Sequence, residues 1–171
     1  MGRTYRMEKP ASLICFTQIQ DSTKKKEIAR SILEGLPEWF GIEQAREEYI
    51  EASAFQPFFA AMTEQTPLGF LTLKQTGKES VEIAVMGVDP AFHHQGIGKA
   101  LFEAAKAYAQ QRAYAFMQVK TVAMGRYENY DRTNLFYRAL GFKELEVLET
   151  LWDEANPCQI YIMTLKPEDQ I

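Results

Sequence analysis

Two glycines and two adjacent histidines follow a strand-like segment in the stretch VDPAFHHQGIGKALF, residues 88–102. Where a strand ends in a glycine turn that opens a helix, free backbone N–H groups and the positive end of the helix dipole converge and favour an anion. Gly96 and Gly98 would let the backbone approach a phosphate closely. The pattern is equally typical of a plain strand-to-helix turn, and the stretch alone does not separate the two.

Other ligands fit this stretch less well. The Walker pattern GxxxxGK followed by Ser or Thr fails, because Ala100 stands where a hydroxyl would hold magnesium. The dinucleotide fingerprint GxGxxG fails, because GIGKAL has leucine at the last glycine position. His93 and His94 make a poor metal site, since adjacent histidines rarely point at one ion and no nearby carboxylate or cysteine completes a set. We therefore predict no metal, and expect the histidines to be exposed or to face a phosphate.

Length, charge and hydropathy bound the class of protein. The 171 residues, 46% of them hydrophobic, predict one domain over residues 1–171, with a core at about 12–166. A formal net charge of -4 argues against a nucleic-acid or anionic-membrane partner. No apolar run approaches the roughly 20 residues that span a bilayer. Because MGRTYRMEKP lacks the apolar core of a secretory signal, we expect a cytoplasmic protein.

The pattern of strands and helices predicts an α/β domain with the order β-α-α-β-β-β-α-β-α-β-β. It opens with a strand at 12–21, and a helix starting near Gly96 connects strands 80–90 and 115–124. A right-handed crossover of this kind makes the two strands parallel. We further predict a polar loop, GRYENYDR, before a short helix, TNLFYRAL, and two final strands whose edge could pair two copies as a homodimer.

Two motifs give the chain a family resemblance. The stretch from Val88 resembles the acyl-CoA signature of the GNAT N-acetyltransferase superfamily, Gln/Arg-x-x-Gly-x-Gly/Ala after a strand ending in Val-x-Pro. Gly96 and Gly98 match, and His93 stands at the Gln/Arg position. NLFYRALGF (134–142) resembles the second signature, a helix with a tyrosine that ends in Gly-Phe. The resemblance covers about residues 12–166 and implies a GNAT-like mixed sheet of about seven strands with flanking helices and a splayed parallel pair.

The resemblance implies acetyl-CoA as cosubstrate. The strand edge near Met86 to Val88 would bind the pantetheine arm as an added strand. Thr133 and Asn134 share a helical face with Tyr137 and could line the cofactor. Backbone amides would cradle the pyrophosphate, in the order His94, Gln95, Gly96, Ile97, Gly98 and Lys99.

The same resemblance implies two catalytic candidates. Tyr137 matches a tyrosine that protonates the departing thiolate, and its alternative is a core aromatic. Glu82 occupies a strand position where related enzymes place a general base, and burial would raise the pKa of its carboxyl. Alternation in VEIAVMGV puts Glu82, Ala84, Met86 and Val88 on one face. The alternatives for Glu82 are an exposed-face or edge residue satisfied by a lysine, or a water chain in its place as base.

The acceptor site is less clear from the sequence. Trp39 and Phe40, between the first two helices, are candidates for lining an acceptor pocket or form only a hydrophobic plug. Asp153 and Glu154 would attract a cationic amine or are simply solvated. We expect acetyl transfer to a primary amine by direct attack in a ternary complex. The competing hypotheses are a non-catalytic acyl-CoA-binding module or sensor, and a nucleotide-phosphate binder unrelated to coenzyme A.

Overall fold

The computed structural model describes residues 13–167, so residue 12 of the predicted first strand lies outside them. Within this range the elements follow the predicted order, and their bounds are β1 (Ile14–Ile19), α1 (Ser22–Glu34), α2 (Glu43–Ser53), β2 (Phe58–Thr63), β3 (Thr66–Gln75), β4 (Ser80–Val88), a short 3₁₀ helix (Pro90–Phe92), α3 (Ile97–Gln111), β5 (Phe116–Val122), α4 (Glu128–Ala139), β6 (Lys143–Asp153) and β7 (Asn156–Thr164). No helix among them is long and apolar enough to cross a membrane.

The described strands form one mixed sheet of seven, in the order β1-β2-β3-β4-β5-β7-β6. β4 and β5 are parallel, and the other neighbouring pairs are antiparallel. The parallel pair follows from the α3 crossover, which returns the chain to the same end of the sheet before β5 begins. The α/β class, the mixed sheet and the parallel pair are thus confirmed.

The parallel pair is short. Only Ser80–Glu82 of β4 pair with β5, where their partners are Phe116–Gln118. Beyond this point β4 continues against β3 as far as Val88, and β5 continues against β7 as far as Val122. The sheet therefore opens into a gap between the carboxyl ends of its two central strands.

A β-bulge lies in β4 at the start of this gap. Thr72 of β3 pairs with Val85, and the next residue, Leu73, pairs with Ile83. Ala84 is therefore an extra residue on β4. An extra residue interrupts the alternation of side chains and bends the strand that contains it.

The bulge reverses the predicted face of Glu82. Ile83 before the bulge and Met86 and Val88 after it all pack in the core cluster under α3, whereas Val85 packs in the cluster under α1 and α2. Glu82 therefore lies on the α1 and α2 face, opposite Met86 and Val88. The prediction of one shared face is wrong, because simple alternation takes no account of the residue inserted at Ala84.

The helices cover both faces of the sheet. On one face of the sheet, α3 buries a stripe of apolar residues at helical spacing. On the other face, α1 buries a similar stripe. The cap of α1 is Asp21, whose side chain accepts a hydrogen bond from the Lys24 amide at 2.7 Å. The two stripes are Ile97, Leu101, Phe102, Ala105 and Ala109 on α3, and Ile28, Ala29, Ile32 and Leu33 on α1.

α4 begins at Glu128, earlier than the predicted start at Thr133. The sequence of its first turns is polar, as in a loop, although Asn129, Tyr130 and Asp131 are half-buried in the structure. Glu128 and Asp131 lie in the first turn, where the helix dipole favours negative charge. The prediction of a loop over GRYENYDR is therefore wrong for the residues from Glu128 onward.

Asn134 fastens α4 to the sheet. It is fully buried, and its Nδ2 donates to the carbonyls of Val122 at 2.8 Å and Tyr130 at 2.7 Å. Its Oδ1 accepts from the hydroxyl of Tyr161 at 2.6 Å. The amide thus joins α4 to β5 and β7, a structural role that differs from the predicted contact with a cofactor.

Outside this core, β6 is an edge strand with exposed side chains along its length. The apolar ones are Leu145, Val147, Leu151 and Trp152.

Asn134→Ala should lower the free energy of unfolding by about 2–4 kcal/mol, because it removes the three hydrogen bonds of a fully buried amide, those to the Val122 and Tyr130 carbonyls and to the Tyr161 hydroxyl. Urea denaturation measures this change. Asn129→Ala is the matched control: Asn129 lies on the same helix, donates to the Glu38 carbonyl at the surface, and should change stability by about 0.5 kcal/mol or less. Equal effects of the two substitutions would contradict the role of Asn134.

Candidate functional site

A cavity of about 1050 Å³ occupies the gap between β4 and β5. Four parts of the chain line it: the glycine turn with the start of α3, the segment from α1 to α2, α4, and the β6–β7 hairpin. It lies beyond the carboxyl ends of two parallel strands, where open α/β sheets commonly bind ligands.

The glycine turn has an unusual backbone. Asp89 accepts a hydrogen bond from the Ala91 amide at 2.9 Å and begins the short 3₁₀ helix. His94 and Gly96 then adopt positive φ angles of 61° and 79° before α3 starts at Ile97. These left-handed residues turn the chain sharply from β4 into α3.

The first amides of α3 have no partner in the described part of the chain. The Ala100 amide donates to the Gly96 carbonyl at 3.0 Å, but those of Ile97, Gly98 and Lys99 donate to no group between residues 13 and 167. Gly96, the N-cap, has no side chain that could accept from them. Gly96 and the three residues with free amides all line the cavity. The start of α3 therefore offers it free donors and the positive end of a helix dipole.

The two glycines serve different needs. A Cβ at Gly96 would meet nothing within 4 Å, so space beside it is open and its requirement is the positive φ. A Cβ at Gly98 would lie 3.1 Å from the ring of Phe136. Gly98 therefore allows α3 to pack closely on α4, a reason that the sequence did not reveal.

His93 ties the turn back to β4. Its Nε2 lies 2.7 Å from the Val88 carbonyl oxygen, and because a carbonyl can only accept, Nε2 is the protonated donor. The ring also meets Trp39 edge-on, with centroids 6.3 Å apart. His93 is thus neither exposed nor free to face a phosphate as predicted. His94 and Gln95 are exposed, and Gln95 lies outside the cavity lining.

No three metal-ligating side chains of the described residues lie close enough together to hold an ion.

The open edge of β4 presents backbone groups of Met86 and Val88. The Asp89 amide donates to the Leu68 carbonyl of β3 at 2.8 Å. Because hydrogen-bonded residues alternate along an antiparallel ladder, Gly87 is the next to bond β3. Met86 and Val88 then direct their backbone groups toward the gap, and both line the cavity.

Tyr137 lies at the inner wall of the cavity. It is buried among the rings of Phe136, Phe142 and Tyr161, and its hydroxyl makes no hydrogen bond with a described residue. Burial raises the pKa of the phenol well above its ordinary value, with a smaller contribution from Tyr49. The phenol is therefore protonated at physiological pH and available as a donor in an apolar setting.

Glu82 does not line the cavity. Its side chain is 5% exposed and is bonded by two lysines, Lys120 Nζ at 2.5 Å and Lys74 Nζ at 3.1 Å. Lys74 lies opposite on β3, and Lys120 lies diagonally on β5. The contacts correspond to the lysine-satisfied alternative for this residue.

The segment between α1 and α2 is fastened to α4 across the cavity. Trp39 Nε1 donates to the Thr133 hydroxyl at 3.3 Å, and the Tyr130 hydroxyl donates to the Trp39 carbonyl at 3.2 Å. Thr133 in turn donates to the Asn129 carbonyl at 3.1 Å. Trp39 and Phe40 line the cavity and also pack against the core cluster of α1. Their role in binding an acceptor stays a prediction.

The sequence interpretation named no residue of α2 in the cavity wall. Ile42, Arg46 and Tyr49 on or beside α2 line it, at a spacing of three to four residues that places them on one helical face. Burial raises the pKa of Tyr49, and the nearby charge of Glu82 raises it further. The helical spacing was visible in the sequence, but nothing there showed which face met a cavity.

Neither cysteine offers a nucleophile to the cavity. Cys158 is buried on β7, and burial raises the pKa of its thiol to about 11. Cys15 is exposed on β1, at the far edge of the sheet.

Comparison with known proteins places this geometry in a family. Residues 54–144, just over half of the chain, match the model of the acetyltransferase (GNAT) domain. No curated protein matches the chain.

Solved structures share the fold at low sequence identity. A GNAT-family protein from Desulfovibrio desulfuricans superposes with a TM-score of 0.76 at 15% identity, over 90% of this chain and 100% of its own. A GNAT-family acetyltransferase from Staphylococcus aureus Mu50 gives 0.72 at 17% identity, over 90% and 100%. An aminoglycoside 6'-N-acetyltransferase complexed with coenzyme A gives 0.69 at 16% identity, over 90% and 98%. With its parallel pair splayed around a cavity that begins at a glycine turn, the chain belongs to the GNAT acetyltransferase family.

Proposed function

We propose that the protein is an acetyl-CoA-dependent N-acetyltransferase that acts on a primary amine by direct attack in a ternary complex. The observation that carries the proposal is the meeting, in one cavity, of the free amides of α3, the open edge of β4 and the Tyr137 phenol. Acetyl-CoA supplies the acetyl group as an activated thioester. The residues around the cavity bind it, position the amine and manage the protons.

The start of α3 is suited to the diphosphate. Free amides at Ile97 to Lys99, the helix dipole and the open space beside Gly96 favour a bulky anion. The Lys99 side chain, also at the cavity, adds positive charge. From there the pantetheine arm would follow the edge of β4, where its amides can pair with the backbone groups of Met86 and with the Val88 amide, because the Val88 carbonyl already accepts from His93 Nε2.

Tyr137 is placed to act as the acid. When the amine nitrogen attacks the thioester carbonyl, the C–S bond breaks and the sulfur leaves as a thiolate that must gain a proton. A phenol with a raised pKa keeps its proton throughout the physiological pH range. The amine's own proton leaves to solvent, because Glu82 is held by two lysines outside the cavity lining. This role for water replaces the glutamate base.

Gly96→Glu should weaken acetyl-CoA binding at least tenfold relative to Gly96→Gln. Both variants place a side chain at a positive φ, at a similar cost of about 1 kcal/mol, so their difference isolates the negative charge beside the diphosphate. Titration calorimetry with acetyl-CoA measures both affinities, and competition with ATP and NAD tests a general nucleotide binder. Equal affinities of the two variants would contradict the phosphate site.

Tyr137→Phe should lower kcat at least tenfold while the Kd for acetyl-CoA changes less than threefold, as expected for a proton donor. Tyr108→Phe, on α3, is the control and should leave both constants unchanged. Because the pKa of Tyr137 is raised, wild-type kcat should not fall through loss of its proton below about pH 10. Free-thiol release followed from pH 6 to 10 provides the measurement.

If kcat of the wild type declines between pH 6 and 10, and Tyr137→Phe removes that decline, the raised pKa of Tyr137 is contradicted. Slow acetyl transfer to every amine tested, unaffected by Tyr137→Phe, would instead favour a non-catalytic acyl-CoA-binding module.

Glu82→Gln should destabilise the fold by about 1–3 kcal/mol, because Lys74 and Lys120 lose their shared counter-charge. Hydration of the two ammonium groups offsets part of this cost. The ascending limb of the pH profile of kcat/KM should keep its position. Glu79→Gln, at an exposed carboxylate on the neighbouring turn, is the control for loss of one charge. A hundredfold loss of kcat with a displaced ascending limb would instead make Glu82 the base.

A further inference from the structure

Arg46 lies in the α2 wall of the cavity. It is on α2, between Ile42 and Tyr49 on the same face, and all three line the cavity. The free amides that would hold a diphosphate belong to another wall, at the start of α3. A ligand held there by its diphosphate would leave the groups on α2 to the second substrate.

The guanidinium of Arg46 is short of acceptors. Nη1 donates to the Phe40 carbonyl at 3.2 Å. Nε is shielded from solvent and has no partner, and no described carboxylate lies within 4.0 Å of the group. The remaining fork of the guanidinium is thus unused by residues 13–167.

The neighbouring acid does not supply the missing charge. Glu47 is bonded through both carboxylate oxygens to Arg30, at 2.5 and 2.8 Å. The Arg30 hydrogen bond is the main cause that lowers the pKa of Glu47, and the charge of Arg46 is a minor one. The acid next to Arg46 in sequence is therefore committed to α1.

Other charges lie around the cavity. Lys74 and Lys120 share the single carboxylate of Glu82, so these three groups leave one positive charge, and Lys120 lines the cavity. Asp153, on the β6–β7 hairpin, accepts from the backbone amide and the side chain of Asn156 and keeps its negative charge, because both donors are neutral. Neither carboxylate pairs with Arg46, whose guanidinium has no ion-pair partner among residues 13–167.

An uncompensated arginine in a partly buried cavity favours one type of partner. A guanidinium keeps its charge at all physiological pH values, and in a partly buried site a charge without a counter-charge is costly. A carboxylate supplies the counter-charge and can accept from the terminal Nη1 and Nη2 groups, whereas Nε is shielded from solvent and from a ligand alike. Phe40, Ile42 and Tyr49 surround the group with largely apolar surface, which strengthens such a contact.

We infer that the acceptor is a primary amine that also bears a carboxylate, as an amino acid does, and that Arg46 binds this carboxylate and so positions the amine. The inference rests on the proposed acetyl transfer and specifies its substrate class. Arg46 is a positioning and specificity residue, since it holds the substrate at a distance from the reacting atoms.

The test compares amino acids with their amides and decarboxylated amines. A panel of apolar, aromatic, polar and acidic L-amino acids is used, with spermidine as a polycation and an aminophosphonate to separate carboxylate from phosphonate recognition. The favoured amino acid should exceed its amide at least tenfold in kcat/KM, mainly through KM. Arg46→Gln should reduce this ratio toward one, and Arg46→Lys should restore part of it.

The control variant is Lys26→Gln. It removes the same charge from α1, where Lys26 bonds Glu51 at the surface, and should leave the ratio unchanged. The Kd of Arg46→Gln for acetyl-CoA should stay within twofold of wild type, which excludes collapse of the cavity. A preference for spermidine or the aminophosphonate, or no tenfold acid-over-amide preference anywhere in the panel, overturns the inference.

A binding measurement separates this inference from the proposed function. Calorimetry compares N-acetyl amino acids with N-acetyl amino amides on the CoA-saturated protein. If no amine is acetylated while an N-acetyl acid binds tenfold more tightly than its amide, and Arg46→Gln abolishes the difference, acetyl transfer fails and the carboxylate site is supported. If amines are acetylated but acid and amide bind equally, the inference fails and acetyl transfer is supported.

Discussion

One inserted residue governs the geometry of the functional end of this protein. Ala84 adds a bulge to β4 just beyond the last residue that pairs with β5. A bulge bends and twists its strand, and at this place it accompanies the separation of the two central strands. The gap lets a cavity reach the middle of the sheet and leaves the edge of β4 open. Because the inserted residue also exchanges the faces of the strand, it places Glu82 on the α1 and α2 face and Met86 and Val88 on the α3 face.

The polar residues around the cavity divide into those that build it and those that remain free. Asn134 and His93 use their hydrogen bonds on the backbone of neighbouring elements, so α4 and the glycine turn are fixed relative to the strands. Tyr137 is held by packing, and Arg46 is held by one hydrogen bond to the Phe40 carbonyl. Within the described chain, each keeps at least one donor without an acceptor. Fixed surroundings with a few unsatisfied donors are what a binding site requires, because the ligand then supplies acceptors without reorganising the protein.

The sequence predicted the fold better than the site. Periodicity, turn residues and the crossover rule were sufficient for the element order and the parallel pair, because these depend on local patterns. The face of Glu82 was missed because a bulge leaves no mark in simple alternation. The role of Asn134 depends on Val122 and Tyr161, which are distant along the chain. Arg46 has no local motif, and its meaning arises only from the absence of a nearby carboxylate in three dimensions.

The segment between α1 and α2 has a practical consequence through Trp39. The chain contains two tryptophans, and both Trp39 and Trp152 line the cavity. Trp39 lies beside the glycine turn and donates to α4, whereas Trp152 belongs to the β6–β7 hairpin at the edge of the sheet. Indole emission responds to local polarity and to nearby quenching groups. When excitation avoids the eight tyrosines, the tryptophan fluorescence of this protein therefore originates at its cavity, and the molecule contains its own unlabelled optical reporter of occupancy.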